Sequence, residues 1–244
     1  MSDAPNDHDE PDEPVDPRWD ELQEAIELGE FGRAEAVLDA LAEELGEHAP
    51  EILYERAVLA WERYGPEDAA ALLDELLRVD PDHADGHYAR AALCEEADDA
   101  EGMVHHFLAV LRLDRAVAEE LELGSEADLD FIEATAEQAL ERVPVEFRDR
   151  LRNVPIVLEA QPHAELVREG FDPRSLGLFE GLEHGRHEHE PALAPTRIVL
   201  FYANLLADFP DREVLAEEIE ITLLHEIGHF FGLDEDDVER LGLA

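Results

Sequence analysis

The sequence predicts an α+β protein in two parts: all-α helical hairpins, then a small α+β domain. Three observations carry this. Apolar residues recur at the 3,4 spacing of buried helix faces through the first half. Short β-branched runs begin only in the second half. Near the end stands the stretch LLHEIGHFFGLDEDD, residues 223–237, an apolar run interrupted by two histidines and a glutamate.

Composition sets the outer limits. The chain has 244 residues, 45% of them hydrophobic, enough to bury the cores of two ordinary domains. It carries 64 acidic against 18 basic residues, a net charge of −46, and no lysine. Such a surface repels phosphate, which argues against nucleic-acid and anionic-membrane partners. It also favours solubility. Cys94 is the single cysteine, so no internal disulfide can form. The N-terminus lacks the basic and apolar regions of a signal peptide, and no apolar run reaches membrane-spanning length. The expected location is cytoplasmic.

Residues 1–16 are acidic and proline-rich, too poor in apolar surface to offset ordering, and read as a disordered acidic tail. Residues 17–120 read as helical repeats. In WDELQEAIELGEFGRAEAVLDALAEELGE, Leu22, Ala25 and Ile26, then Ala34, Val37, Leu38 and Leu41, line buried faces, with Gly29 and Gly32 breaking one helix from the next. The unit recurs. AVLDAL at 36–41 echoes ALLDEL at 71–76, an offset of 35, and LLRVD at 76–80 echoes VLRLD at 110–114, an offset of 34. On this period and the paired helices, the segment resembles about three degenerate tetratricopeptide repeats. A generic bundle of helical hairpins remains the other reading. The resemblance implies a solenoid whose concave face binds a protein partner. Adjacent His105 and His106 point about 100° apart on a helix and read as packing or surface residues, not as a ligand pair.

Residues 121–244 form the second predicted domain. SEADLDFIEATAEQALERV reads as a helix capped by Ser125. Strands are expected in NVPIVLEAQP, in SLGLFEGLE and, most strongly, in TRIVLFYANLL. Asp211 is placed to cap the long helix REVLAEEIEITLLHEIGHFFG, which Gly232 would end. The loop HGRHEHEPALAP carries His184, His187 and His189, candidates for a second metal site that an exposed His-rich loop could equally mimic.

HEIGH fits the pattern H-E-x-x-H. On a helix, positions i and i+4 share a face, so His225 and His229 can present imidazole nitrogens to one metal ion. Glu226, rotated by about 100°, can reach a water beside the ion without ligating it, as a general base requires. Leu223, Leu224, Ile227, Phe230 and Phe231 would seat the helix. Gly228 costs about 1 kcal/mol against alanine inside a helix, which suggests close packing there. Seven residues after His225 comes Gly232, and ten after it Glu235, the H-E-x-x-H-x-x-G-x-x-ligand spacing. Two histidines and a carboxylate suit zinc and leave a fourth position open. Glu235 is favoured over Asp234 and Asp236 as third ligand, because neighbours in an extended turn point to opposite sides. The bland alternative, a helix with two partly buried histidines and an acidic end, must explain acids placed against the negative pole of the helix.

RDRLRNVPIVLE, SLGLFEG, TRIVLFY and TLLHEIGHFFGLDED, in this order, resemble the minimal zincin-like metallopeptidase family over roughly residues 140–244. Its motif is metzincin-like, but no methionine follows it here. The family often carries Asp where Glu235 stands. The resemblance implies a short mixed sheet on the HExxH helix, one zinc per chain held by His225 and His229, and Glu226 as catalytic base. It implies hydrolysis of a peptide bond in a peptide or protein substrate, which a strand beside the cleft, SLGLFEG or TRIVLFY, would pair with. No residue stands out as an oxyanion donor; Tyr202 is the nearest candidate. The function expected is therefore a zinc-dependent peptidase whose repeats recruit a partner or substrate. The rival is a non-catalytic metal-binding scaffold in which the repeats do the work.

Overall fold

The computed structural model describes residues 16–143, 145–181 and 196–231. The chain divides into two compact units, residues 1–93 and residues 94–244. The predicted tail, the His184/His187/His189 loop, and Gly232 with Glu235 lie outside the described residues.

In the first unit, helices follow one another with short links: α1 (Pro17–Glu27), α2 (Phe31–Leu45), α3 (Pro50–Tyr64) and α4 (Pro66–Val79). Helix α5 (Ala84–Glu96) runs across the division between the units. Proline stands in the first turn of α1, α3 and α4, where its missing N–H has no helical partner to lose. A single residue separates α3 from α4: Gly65, at φ +103°, a value that side-chain-bearing residues rarely adopt. Each helix packs on its neighbour in sequence, α1 on α2, α2 on α3 and α3 on α4. The buried positions recur at the spacing of the sequence echo. Ala34, Leu38 and Leu41 on α2 correspond to Ala69, Leu73 and Leu76 on α4, and all six are buried.

The second unit contains α6 (Ala100–Glu120), α7 (Glu126–Arg142), α8 (Val145–Leu151), β1 (Ile156–Glu159), α9 (Ala164–Arg168), β2 (Gly177–Glu180), β3 (Arg197–Phe201), α10 (Tyr202–Asp208) and α11 (Arg212–Phe231). The predicted α+β class holds. The predicted domain boundary near residue 121 falls between α6 and α7, inside this unit. Helix α6 packs on α9, and its Asp114 accepts from Arg174 Nε at 2.8 Å, just ahead of β2.

The sheet is mixed, in the order β1-β3-β2, with β3 parallel to β1 and antiparallel to β2. Ile198 and Leu200 alternate onto the face that packs against α11 and join Ile132 and Ala136 of α7 and Leu215, Ile219, Leu223 and Ile227 of α11 in one core. On the opposite face Arg197 of the central strand pairs with Glu159 of β1 and Glu180 of β2, tying all three strands together.

Both predicted caps are present. Ser125 accepts from the Asp128 N–H while the Asp128 carboxylate accepts from the Ser125 N–H, a complete capping box. Asp211 accepts from the Glu213 and Val214 amides at 2.8 and 3.1 Å. The stretch TRIVLFYANLL, expected as one strand, is a strand only to Phe201. Tyr202 opens α10, because the alternation of Ile198, Val199, Leu200 and Phe201 gives way to Ala203, Leu205 and Leu206, good helix formers. Among the described residues no helix is long and apolar enough to cross a membrane.

Candidate metal centre and active site

Helix α11 carries the three motif residues in two environments. Leu223, Ile227 and Phe230 are buried and fix its rotation, while Leu224 and Phe231 are half-buried against the same core. That rotation leaves His225 half-buried and His229 exposed, one turn apart. Their Nε2 atoms stand 2.9 Å apart with the rings at 87°. Two nitrogens sharing a tetrahedral zinc at about 2.0–2.1 Å each would lie roughly 3.3 Å apart. The pair is thus within a few tenths of an ångström of that requirement. Among the described residues no group of three His, Cys, Asp or Glu side chains gathers around an ion position. Glu235, the expected third ligand, falls outside them. The two converging imidazoles are donors of the kind zinc takes, and the described residues supply no third.

Glu226 turns the other way, toward β2, and is only 7% exposed. Burial pushes its carboxyl up to about 7, and a hydrogen bond donated by the Phe179 N–H partly opposes that rise. The sheet register explains the donor. Phe201 N–H donates to Leu176 O at 2.8 Å, so alternate residues of β2 direct their polar backbone groups at β3, and Gly177 and Phe179 direct theirs outward. The Phe179 ring packs edge-on against Phe230 of α11, with centroids 5.7 Å apart, seating the strand on the helix.

A cleft of about 470 Å³ opens over these groups, lined by Phe171, Ser175, Gly177, Leu178, Phe179, Gly181, His225, Glu226 and His229. The motif residues and the strand SLGLFEG therefore meet in one cavity. The stretch TRIVLFY does not reach it. Its strand β3 is paired on both sides, and among the described residues β2 is the strand of the sheet that lines the cleft. Tyr202 packs against the core and stands next to Gly124, away from the residues that line the cleft.

Two residues that the sequence reading passed over hold the wall of this cleft. Asn204 of α10 is buried, and its amide donates to Pro173 O at 2.9 Å and Ser175 O at 2.8 Å. Its own oxygen faces Gln161 Nε2 at 3.4 Å. It thereby anchors the turn that leads into β2. Gly177, at the start of β2, stands directly against Thr222 and Glu226. Asn204 sat inside a presumed strand, and Gly177 read only as a strand residue. The one local signal was that a buried-looking Asn in an apolar run needs partners.

The family model for zincin-like metallopeptidases matches residues 151–243, from the end of α8 through the motif helix. No curated protein matches the chain.

Proposed function

We propose that the C-terminal unit is a zinc peptidase in which His225, His229 and Glu235 hold one zinc per chain and Glu226 is the general base. The observation that carries this is the pair of imidazole nitrogens 2.9 Å apart beside a buried carboxyl, all three lining one cleft. The family match over residues 151–243 supports it. Zinc, when bound, supplies a Lewis acid that polarises a carbonyl and makes water acidic enough to lose a proton near neutral pH.

The chain's own residues do the rest. Glu226 accepts the proton from the attacking water and returns it to the leaving amine. In the metal-free chain burial raises its carboxyl to about 7, so the site favours the proton that Glu226 must carry; bound zinc would lower that value. The Phe179 amide holds its carboxylate beside β2, at the wall of the cleft. Strand β2 offers an extended peptide an edge to lie along, and Phe171 and Ser175 form the adjoining wall. The acidic surface disfavours acidic substrates. The helical repeats select or orient the protein partner or substrate, in the cytoplasm.

Elemental analysis should find close to one zinc per chain, and His225→Ala or His229→Ala should abolish it. Glu226→Gln should keep the zinc and lose hydrolysis by about 10²–10⁴-fold. In competition with a chromogenic chelator, Glu235→Ala should weaken zinc binding about 10-fold or more, with Asp234→Ala and Asp236→Ala nearly silent. A protein that takes up no zinc on reconstitution at neutral pH sinks the site. One that binds zinc but cleaves nothing across a broad peptide library is the scaffold instead.

A further inference from the structure

We propose that Gly177 is a positioning residue: β2 lies so close to α11 that this position admits no side chain without displacing Glu226 from its place beside the strand. The kinetic part of this rests on the peptidase reading; the structural part does not.

A Cβ built on Gly177 would stand 2.7 Å from Thr222 Cγ2, 3.1 Å from Glu226 Cγ and 3.2 Å from Glu226 Oε1. The first distance is closer than real Cβ contacts come, so something must move. Neither backbone can move far. Strand β2 is hydrogen-bonded to β3 on one side, and the turn ahead of it is anchored by Asn204 through Pro173 O and Ser175 O. Helix α11 is fixed by Leu223 and Ile227, both fully buried. Of the two side chains in the way, Thr222 is buried, and branching at Cβ restricts its χ1. Glu226 is unbranched and borders the open cleft. The 2.7 Å conflict is with Thr222, so a small shift must carry the added methyl off Thr222, and Glu226, one turn along the same helix face and already at 3.1–3.2 Å, is the side chain pressed out of place. In yielding it loses the Phe179 amide and moves from where a base must stand.

The three nearest atoms all belong to Thr222 and Glu226. Neither His225 nor His229 is among the nearest atoms that a Cβ at position 177 would meet. Metal binding and base placement are thus separable at this one position, which a merely structural glycine would not achieve. The requirement is also specific. Gly177 carries no positive φ, so a left-handed backbone does not explain the residue; the space taken by Thr222 and Glu226 does.

The test uses the full chain with zinc, labelled with ¹⁵N-phenylalanine, and the Phe179 amide resonance is identified by its loss in Phe179→Leu. In Gly177→Ala this resonance should move to where Glu226→Ala places it, since both remove the same acceptor. The zinc dissociation constant should stay within about threefold. If the chain cleaves a peptide, kcat should fall about 10²-fold with KM little changed, the scale of loss from a misplaced catalytic group. Adding Thr222→Ser removes the methyl group in closest conflict and should return the resonance and kcat toward wild type. Should Gly177→Ala fail to fold, the double variant compared with Thr222→Ser alone carries the same test. A Phe179 resonance unchanged in Gly177→Ala overturns the proposal. So does a zinc affinity reduced more than tenfold, which would mean that the glycine serves the metal ligands. If the resonance shifts and no peptide is ever cleaved, the positioning stands and the peptidase reading falls.

Discussion

The two units bury their apolar residues by opposite strategies. In the first, each helix packs on its neighbour in sequence, and the buried leucines of α2 reappear at the same offset on α4. In the second, the central strand of the described sheet follows both its neighbours in sequence, and the core draws on α7, β3 and α11 together. Exposed ion pairs occur on both units. In the first unit Arg33 gathers Glu21, Glu24 and Glu30, and Arg18 gathers Asp16 and Glu44, all exposed or nearly so. Such pairs are screened by solvent, add little stability and mainly dilute the repulsion among the acids. In the second unit Arg197 and Asn204 are less exposed and join segments far apart in sequence. Local packing makes a repeatable surface. Non-local packing fixes a few atoms to fractions of an ångström, which chemistry needs.

The sharpest way to break this comparison is to open a cavity in each unit. Ile227→Ala and Leu73→Ala should each cost about 2–5 kcal/mol. The first should also loosen zinc binding, because Ile227 sets the rotation of α11. The second should lower the stability of the helical unit and leave zinc affinity unchanged. Denaturant titration with a chelator assay distinguishes them, and equal loss of zinc affinity in both would erase the contrast.

A difference in pH response should follow from Glu226. Its carboxyl lies at about 7 in the folded chain against an ordinary value near 4.5, so the folded state holds a proton that the unfolded state has lost. Stability of the metal-free protein should therefore fall as pH rises from about 4.5 to 7 and level off above. The size is about 3 kcal/mol at most. Glu226→Gln removes this dependence, so its stability relative to wild type should climb across that window and stay level below it. Zinc should blunt the effect by favouring the ionised carboxylate. A mutant that tracks wild type at every pH would show that Glu226 is not buried as described.

The domain boundary offers a smaller effect. A fragment beginning at residue 94 keeps α6, its packing on α9 and the Asp114–Arg174 pair; one beginning at residue 121 loses them. We expect both to bind zinc, with the shorter less stable, because it loses the packing of α6 on α9 as well as the ion pair. Smallest should be the caps. Ser125→Ala and Asp211→Ala should each cost about 1 kcal/mol in thermal unfolding and leave the cleft intact.

What the sequence made legible has a physical limit. His225, Glu226 and His229 were readable because one helix turn brings them together, and Ser125 and Asp211 because a cap reaches only two or three residues along. The α+β class followed from the change of period along the chain. The end of β3 at Phe201 was missed because Tyr202, Leu205 and Leu206 suit a strand or a helix, and the packing against the core decides. Asn204 and Gly177 were missed for a different reason. Asn204 finds its acceptors 29 and 31 residues upstream, and Gly177 is defined by what a helix more than 40 positions later puts against it. No window of local periodicity reports such meetings.

The order β1-β3-β2 also sets a clock. Neither early strand borders the other, so neither has a ladder to join until β3 is made. Arg197, at the start of β3, follows Glu159 of β1 by 38 residues. At about 5–20 residues per second of synthesis, β1 waits roughly 2–8 s for its neighbour, and the histidines emerge later still. The helical unit, needing only what precedes it, has no such wait. On a ribosome, then, the helical unit can pack before the cleft exists.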